Sequence, residues 1–184
     1  MKKKILKTIG MYYKKHKQSY CNLNLKHCIS VTEKMLKNIK YGFLITQGDN
    51  GWCSSRLVQT FADKESELPF SLWFGTGKDL RKTNEVWSNP NVTLAFESKR
   101  ENASLIIYGR AVIETDPEIK KRYWKSLLAL FFPNGPLSDD YVVVRIEPQR
   151  IEIINFKQNI IPEPFGLKSA VLINHKNQWQ MESL

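Results

Sequence analysis

Apolar and polar residues alternate along this chain with two periods, and the changes of period mark its elements. Ser30-Val31-Thr32-Glu33 fits a capping box, and Val31, Met35, Leu36 and Ile39 follow at helical spacing. A helix is therefore predicted from Ser30 to the Tyr41-Gly42 break. Phe43 to Ile45 then reads as an apolar strand, Gly48-Asp49-Asn50-Gly51 as a turn, and Trp52 to Thr60 as the second strand of a hairpin. On that strand, period two puts Ser54, Arg56 and Val58 on one face and Cys53, Ser55, Leu57 and Gln59 on the other. After a polar loop over 61–69, Phe70 to Phe74 predicts a strand that breaks at Gly75-Thr76-Gly77. Thr76-Gly77-Lys78-Asp79 has the form of a helix start. The helix would carry Arg81 and Lys82, turn Leu80, Thr83 or Asn84, and Trp87 inward, and stop at Asn89-Pro90.

Asn91 to Glu97 and Leu105 to Glu114 are predicted strands around a charged turn at Lys99 to Asn102, with Gly109 marking a bulge or close approach. Asp116-Pro117-Glu118 supplies an N-cap, an N1 proline and an acidic first turn. Ile119, Tyr123, Leu127 and Leu130 would line one face of that helix, with Trp124, Leu128 and Phe132 as a second stripe beside it. So wide an apolar arc suits burial on two sides, by the core alone or by the core and a dimer partner. Phe132-Pro133-Asn134-Gly135-Pro136 ends the helix. Tyr141 to Ile146 and Arg150 to Phe156 read as a last hairpin around Glu147-Pro148-Gln149, with a short strand at Ala170 to Ile173 beyond it. About seven strands joined by short turns, with three helices inserted, predict a mainly β, α+β protein. The architecture expected is a small antiparallel barrel with flanking helices.

Length adds that 184 residues suffice for one domain with a substantial core. Charge adds a division. Eleven lysines and one acid, Glu33, lie within the first forty residues, whereas the remainder carries 17 basic and 17 acidic residues. The net charge of +10 therefore belongs to a basic N-terminal arm, placed at 1–29, ahead of a neutral barrel domain at 30–156 and a C-terminal extension at 157–184. The arm, with Tyr12, Tyr13 and Tyr20, reads as a surface segment or as an adhesion point for nucleic acid or an anionic membrane. Cys21, Cys28 and Cys53 are odd in number and widely spaced, which argues for free thiols and a cytoplasmic protein. Cys21, His27 and Cys28 lack a second metal-binding half, so no metal site is expected. No apolar run approaches a membrane span, and the lysine-rich start lacks the continuous apolar core of a secretory signal.

The chemistry is narrowed by elimination. GxSxG, HExxH and Walker patterns are missing, and His16, His27 and His175 lie toward the ends. Arg56, Thr76, Arg81 and Lys82 remain, with Trp73 and Phe74 between them. Such residues suit a flat, phosphorylated, aromatic ligand that brings its own reactivity.

From about Val31 to Phe156 the chain resembles the FMN-binding split barrels related to pyridoxamine 5′-phosphate oxidase, in the branch called general stress proteins. The carriers are Ser55-Arg56-Leu57-Val58, Leu72-Trp73-Phe74-Gly75-Thr76, Arg81-Lys82, Asn89-Pro90, Tyr108-Gly109-Arg110-Ala111 and Phe132-Pro133-Asn134-Gly135, in that order. The resemblance implies an FMN site drawn from Ser55, Arg56, Leu57, Val58, Trp73, Phe74, Gly75, Thr76, Arg81, Lys82 and Ser104. In it Arg56, Arg81 and Lys82 hold the phosphate, Thr76 donates its hydroxyl, and the backbone of Leu57 and Val58 lines the ring edge. It further implies a homodimer with FMN at the interface. Three departures stand out: Phe61 where the oxidases carry a further lysine, Gly75 where they carry an aromatic, and no arginine-rich segment in 157–184. The expectation is an FMN-dependent oxidoreductase of open substrate that is not a true pyridoxamine 5′-phosphate oxidase. The other readings are a non-catalytic flavin-binding stress protein, a relative using a deazaflavin or haem, and a binder acting through its basic arm.

Overall fold

The protein is seen as a computed structural model that describes residues 2–48, 51–62 and 69–182. Its elements in chain order are helices α1 (Lys2–Ser19) and α2 (Leu25–Asn38), strands β1 (Tyr41–Gln47), β2 (Cys53–Gln59), β3 (Phe61–Ala62) and β4 (Leu72–Gly77), and helix α3 (Arg81–Ser88). There follow β5 (Asn91–Ser98), β6 (Ala103–Glu114), α4 (Pro117–Arg122), a 3₁₀ turn (Ser126–Leu130), β7 (Tyr141–Asn155), β8 (Ala170–His175) and β9 (Gln178–Met181). The nine strands form one sheet in the order β2-β1-β5-β6-β7-β4-β3, with β8 on β7 and β9 on β8. Every pairing is antiparallel. The sheet curls into a split barrel with helices against it, as the pattern of short alternating strands predicted.

The barrel interior follows the period-two alternation. Leu44, Leu94, Phe96, Leu105, Ile107, Ile146, Ile151 and Ile153 are buried together, joined by Val31, Met35 and Leu36 of α2. Burying each large aliphatic side chain contributes roughly 1.5–3 kcal/mol, which makes this layer the main source of stability. A second cluster lies on the other face of β4 and β7, around Trp73, Tyr123, Tyr141 and Val143.

Several elements differ from the sequence expectation. Helix α2 begins at Leu25, because the side chain of Asn24 accepts a hydrogen bond from the Lys26 amide. Ser30 and Glu33 thus fall inside the helix, and position 29 is no structural break. Strand β4 runs unbroken through Gly75, Thr76 and Gly77, each paired to β7. Helix α3 starts only at Arg81, behind Leu80, with no side-chain cap. That phase buries Thr83, Glu85 and Val86 and leaves Leu80 and Trp87 exposed. The helix after Asp116 stops at Arg122 and gives way to the 3₁₀ turn. Trp124, Leu128 and Phe132 consequently pack on the chain's own second cluster, while Leu127, Leu130 and Phe131 are exposed.

The predicted hairpin at 147–149 is one continuous strand. Pro148 has no amide hydrogen to donate, and the β6–β7 register shifts between Tyr108 and Gly109, opposite it. Gly109 makes that approach possible, since a Cβ there would lie 2.5 Å from the Glu147 carbonyl oxygen. The N-terminal part of β7 pairs with β4 and its C-terminal part with β8, so residues 170–181 are built onto the barrel sheet. The Gly48–Gly51 turn is described only in part, because Asp49 and Asn50 lie outside the described residues. Its flanks pair in register, Gln47 with Cys53. In the expected polar loop, Phe61–Ala62 form β3, and residues 63–68 lie outside the described set.

Candidate functional site

No ladder joins β2 to β4 among the described residues, and a cavity of about 430 Å³ opens at this split. That volume is within the range of small-molecule sites. Leu57, Val58 and Gln59 come from β2, and Phe74, Gly75 and Thr76 from β4. Phe61 and Lys82 close two sides, and Lys125, Ser126, Leu127, Leu128 and Phe131 of the 3₁₀ region form the lip.

The polar end is built by α3. The Thr83 hydroxyl donates to the Gly77 carbonyl at 2.7 Å, pinning the helix to the end of β4. This sets Lys82 over the strand, where its ammonium donates to the Thr76 hydroxyl at 2.9 Å. Burial, and secondarily the charge of Arg56, pushes the Lys82 pKa below its ordinary 10.5. A cation held part-buried beside a like charge gains from an arriving anion. Lys125 adds a further cation, its ammonium 4.8 Å from the centre of the Phe61 ring.

Arg56 is engaged differently from the expectation. Its guanidinium pairs with the Glu85 carboxylate at 2.5 Å and donates to the Thr46 hydroxyl. Thr46 and Ser54 in turn donate to Glu85 at 2.5 and 2.7 Å. Burial pushes the Glu85 carboxyl up, but these hydrogen bonds and Arg56 outweigh it, so its pKa lies below the usual value. The anion that a strand arginine requires is thus supplied by the protein itself. Glu85 was missed in the sequence. It stands four residues after Arg81, an ordinary surface spacing, and only the phase of α3 turns it inward.

The remaining expected residues divide. Val58, Phe74, Gly75, Thr76 and Lys82 line the cavity, as does the exposed side of Leu57. Ser55 lies on the outer face of β2. Arg81 points outward, 75% exposed, with its Nε 3.6 Å from Glu85. Trp73 faces away from the cavity, because alternation along β4 gives it to the second cluster, where it stacks on Tyr123 at 4.0 Å. Ser104 alternates with buried Ala103 and Leu105 on β6 and is not among the lining residues.

Two of the departures have structural counterparts. A Cβ at Gly75 would lie 2.7 Å from the Tyr141 hydroxyl and 3.0 Å from Leu128, so these side chains fill the space of an aromatic at that position. Among the described residues that buried hydroxyl has no hydrogen-bond partner, and burial pushes its pKa up to about 12. Where a lysine is missing at 61, Lys125 reaches over Phe61 from another element. Its position was not legible in the sequence, since it depends on the break after Arg122.

Among the described residues the lining includes lysines and hydroxyls but no carboxylate, histidine or cysteine. Apolar walls with cations at the edge suit the binding of an anionic aromatic ligand better than proton transfer by side chains. Fold and site together define a split-barrel protein with a cavity at the barrel's open edge. The chain belongs to the pyridoxamine 5′-phosphate oxidase like family, whose model matches residues 28–175.

Solved structures agree on the fold. A Listeria innocua structure named for pyridoxamine 5′-phosphate oxidase is 29% identical, with a TM-score of 0.58 over 69% of this chain and 98% of that one. General Stress Protein 26 from Bacillus anthracis str. Sterne is 24% identical, with a TM-score of 0.58 over 70% of this chain and 94% of its own. A pyridoxamine 5′-phosphate oxidase-related, FMN-binding protein from Nostoc punctiforme is 13% identical, with a TM-score of 0.60 over 85% and 95%. No curated protein matches the chain.

Proposed function

We propose that this protein binds FMN at the β2–β4 split and acts as a flavin-dependent oxidoreductase. The observation that carries the reading is the Lys82–Thr76 pair at one end of an aromatic-walled cavity. Lys82 and Thr76 would hold the phosphate. Arg56 is ion-paired with Glu85 behind them, and Arg81, exposed on the same helix and 3.6 Å from Glu85, leaves the Arg56–Glu85–Arg81 group with a net positive charge. Phe61, Phe74 and Leu128 would flank the flat ring, with Leu57 and Val58 along its edge. When bound, FMN supplies the hydride and electron-transfer chemistry. The chain's own residues bind, orient and exclude water.

A homodimer is part of the proposal. Leu57, Leu127, Leu130 and Phe131 are exposed apolar residues on or next to the cavity lip, where a second copy would cover both them and the ligand. The test is a spectrum. Protein purified or incubated with FMN should show bound-flavin absorbance that bleaches with dithionite. A chain that takes up no FMN at micromolar concentrations overturns the reading. The same measurement with a deazaflavin distinguishes cofactors, and steady-state reduction by NADH or NADPH separates an oxidoreductase from a passive flavin carrier.

A further inference from the structure

We infer that α1 is an amphipathic anchor that lies on an anionic lipid surface. The helix carries seven lysines and no acid among residues 2–19. Ile5, Ile9 and Tyr12 recur at i, i+4 and i+7, so they share a face, with Leu6 and Tyr13 beside them. A helix packed on its own protein normally buries such a stripe. Here the reverse holds. Gly10, Lys17 and Gln18 are the half-buried positions, whereas Ile5, Ile9 and Tyr12 are 54, 60 and 74% exposed. The C-terminal end of the helix is tied down by the Gln18 side-chain amide, which donates to the Ile161 carbonyl at 3.2 Å, and by the Tyr13 ring edge-on to Phe165. The docked side is therefore set, and it turns the apolar stripe away from the barrel.

Charge selects the occupant. A second copy would bring another acid-free, lysine-rich helix against this one, and like charges would repel. A nucleic acid would engage the lysines but leave the apolar stripe in water. An anionic bilayer satisfies both, taking Ile5, Ile9 and Tyr12 into the headgroup–acyl boundary with Lys15 flanking the stripe, while Lys7 and Lys14, on the opposite side of the helix, add attraction through their charge. Tyrosine suits that depth, with an apolar ring and a wet hydroxyl. No helix among the described residues is long and apolar enough to cross a membrane, so the anchor would lie in the interface.

The experiment is flotation of the full-length protein with vesicles of mixed phosphatidylglycerol and phosphatidylcholine, against vesicles of phosphatidylcholine alone. Binding to the anionic vesicles only, weakened by added salt, is expected. Ile5→Glu with Ile9→Glu keeps every lysine and a helix-favouring residue at both positions, yet should weaken partitioning at least about tenfold. Lys15→Glu, beside the stripe, should weaken it, as should the charge reversal Lys7→Glu with Lys14→Glu, and the conservative Ile9→Leu should preserve it. Unchanged circular dichroism and thermal midpoint would show that the variants fold. The inference is overturned if anionic vesicles do not bind, or if the double isoleucine variant binds them as well as the parent. It is equally overturned if the isoleucine pair governs self-association, or if a DNA or RNA duplex binds while vesicles do not.

Discussion

Lys82 shows how one side chain takes its character from its surroundings. Its ammonium is part-buried, bonded to Thr76 and repelled by Arg56, so its pKa is already depressed. Lys82→Gln is expected to weaken FMN binding by about 1.5–3 kcal/mol, the worth of a charged hydrogen bond, as read by fluorescence titration. A bound phosphate favours the charged lysine. Affinity should therefore hold below the Lys82 pKa and decline as pH rises through it, beginning on the acid side of 10.5. The Lys82→Gln variant should lack that alkaline decline. Lys125 is solvent-exposed, so Lys125→Ala should cost no more than about 1 kcal/mol of the same affinity. Glu85 acts through Arg56. Glu85→Gln leaves a nearly buried guanidinium without its counter-ion and should destabilise the fold by about 3 kcal/mol in urea unfolding at neutral pH. The folded pKa of Glu85 is depressed, so its stabilisation is present above the ordinary carboxyl value and lost as pH falls through the folded one. Parent and variant should converge in acid.

At the scale of elements, β7 holds the two halves of the sheet together. It passes Pro148 without a break because β6 supplies a bulge at Gly109, with backbone only 2.5 Å from where a side chain would start. Backbone cannot yield as a flexible side chain can. Gly109→Ala is expected to lower stability by about 1–3 kcal/mol, seen as a fall in thermal midpoint. Helix α3 is the second decisive element. Its start at Arg81 buries Glu85 and sets Lys82 on Thr76. A start a few residues earlier would have turned a different face to the barrel.

For the whole molecule, the open edge of the barrel and the exposed residues beside it belong to one argument. A sheet edge next to a ligand cavity and an apolar lip calls for a cover, and a second copy is the proposed one. Leu130→Glu with Phe131→Glu should shift the protein from dimer to monomer in analytical ultracentrifugation and weaken FMN binding in parallel. If the dimer dissociates while FMN affinity is unchanged, the ligand does not lie at the interface.

The barrel class and most of its strands were legible in the chain, because alternation, turn residues and β-branched runs are local signals. Thr76, Lys82 and Val58, expected from a resemblance, do line the cavity, and Gly109 had a local mark for its bulge. Other features depend on partners distant in sequence. Trp73 left the candidate site because strand phase gave it to the second cluster, and Arg56 found Glu85 rather than open space. The helix after Asp116 stopped early, and its first apolar stripe divided: Ile119 and Tyr123 stayed inward with Trp124, Leu128 and Phe132, while Leu127 and Leu130 turned outward. Period and composition determine which residues can form a strand or helix. Only packing in three dimensions decides the phase of each helix, and with it which charge pairs internally and which is left for a ligand.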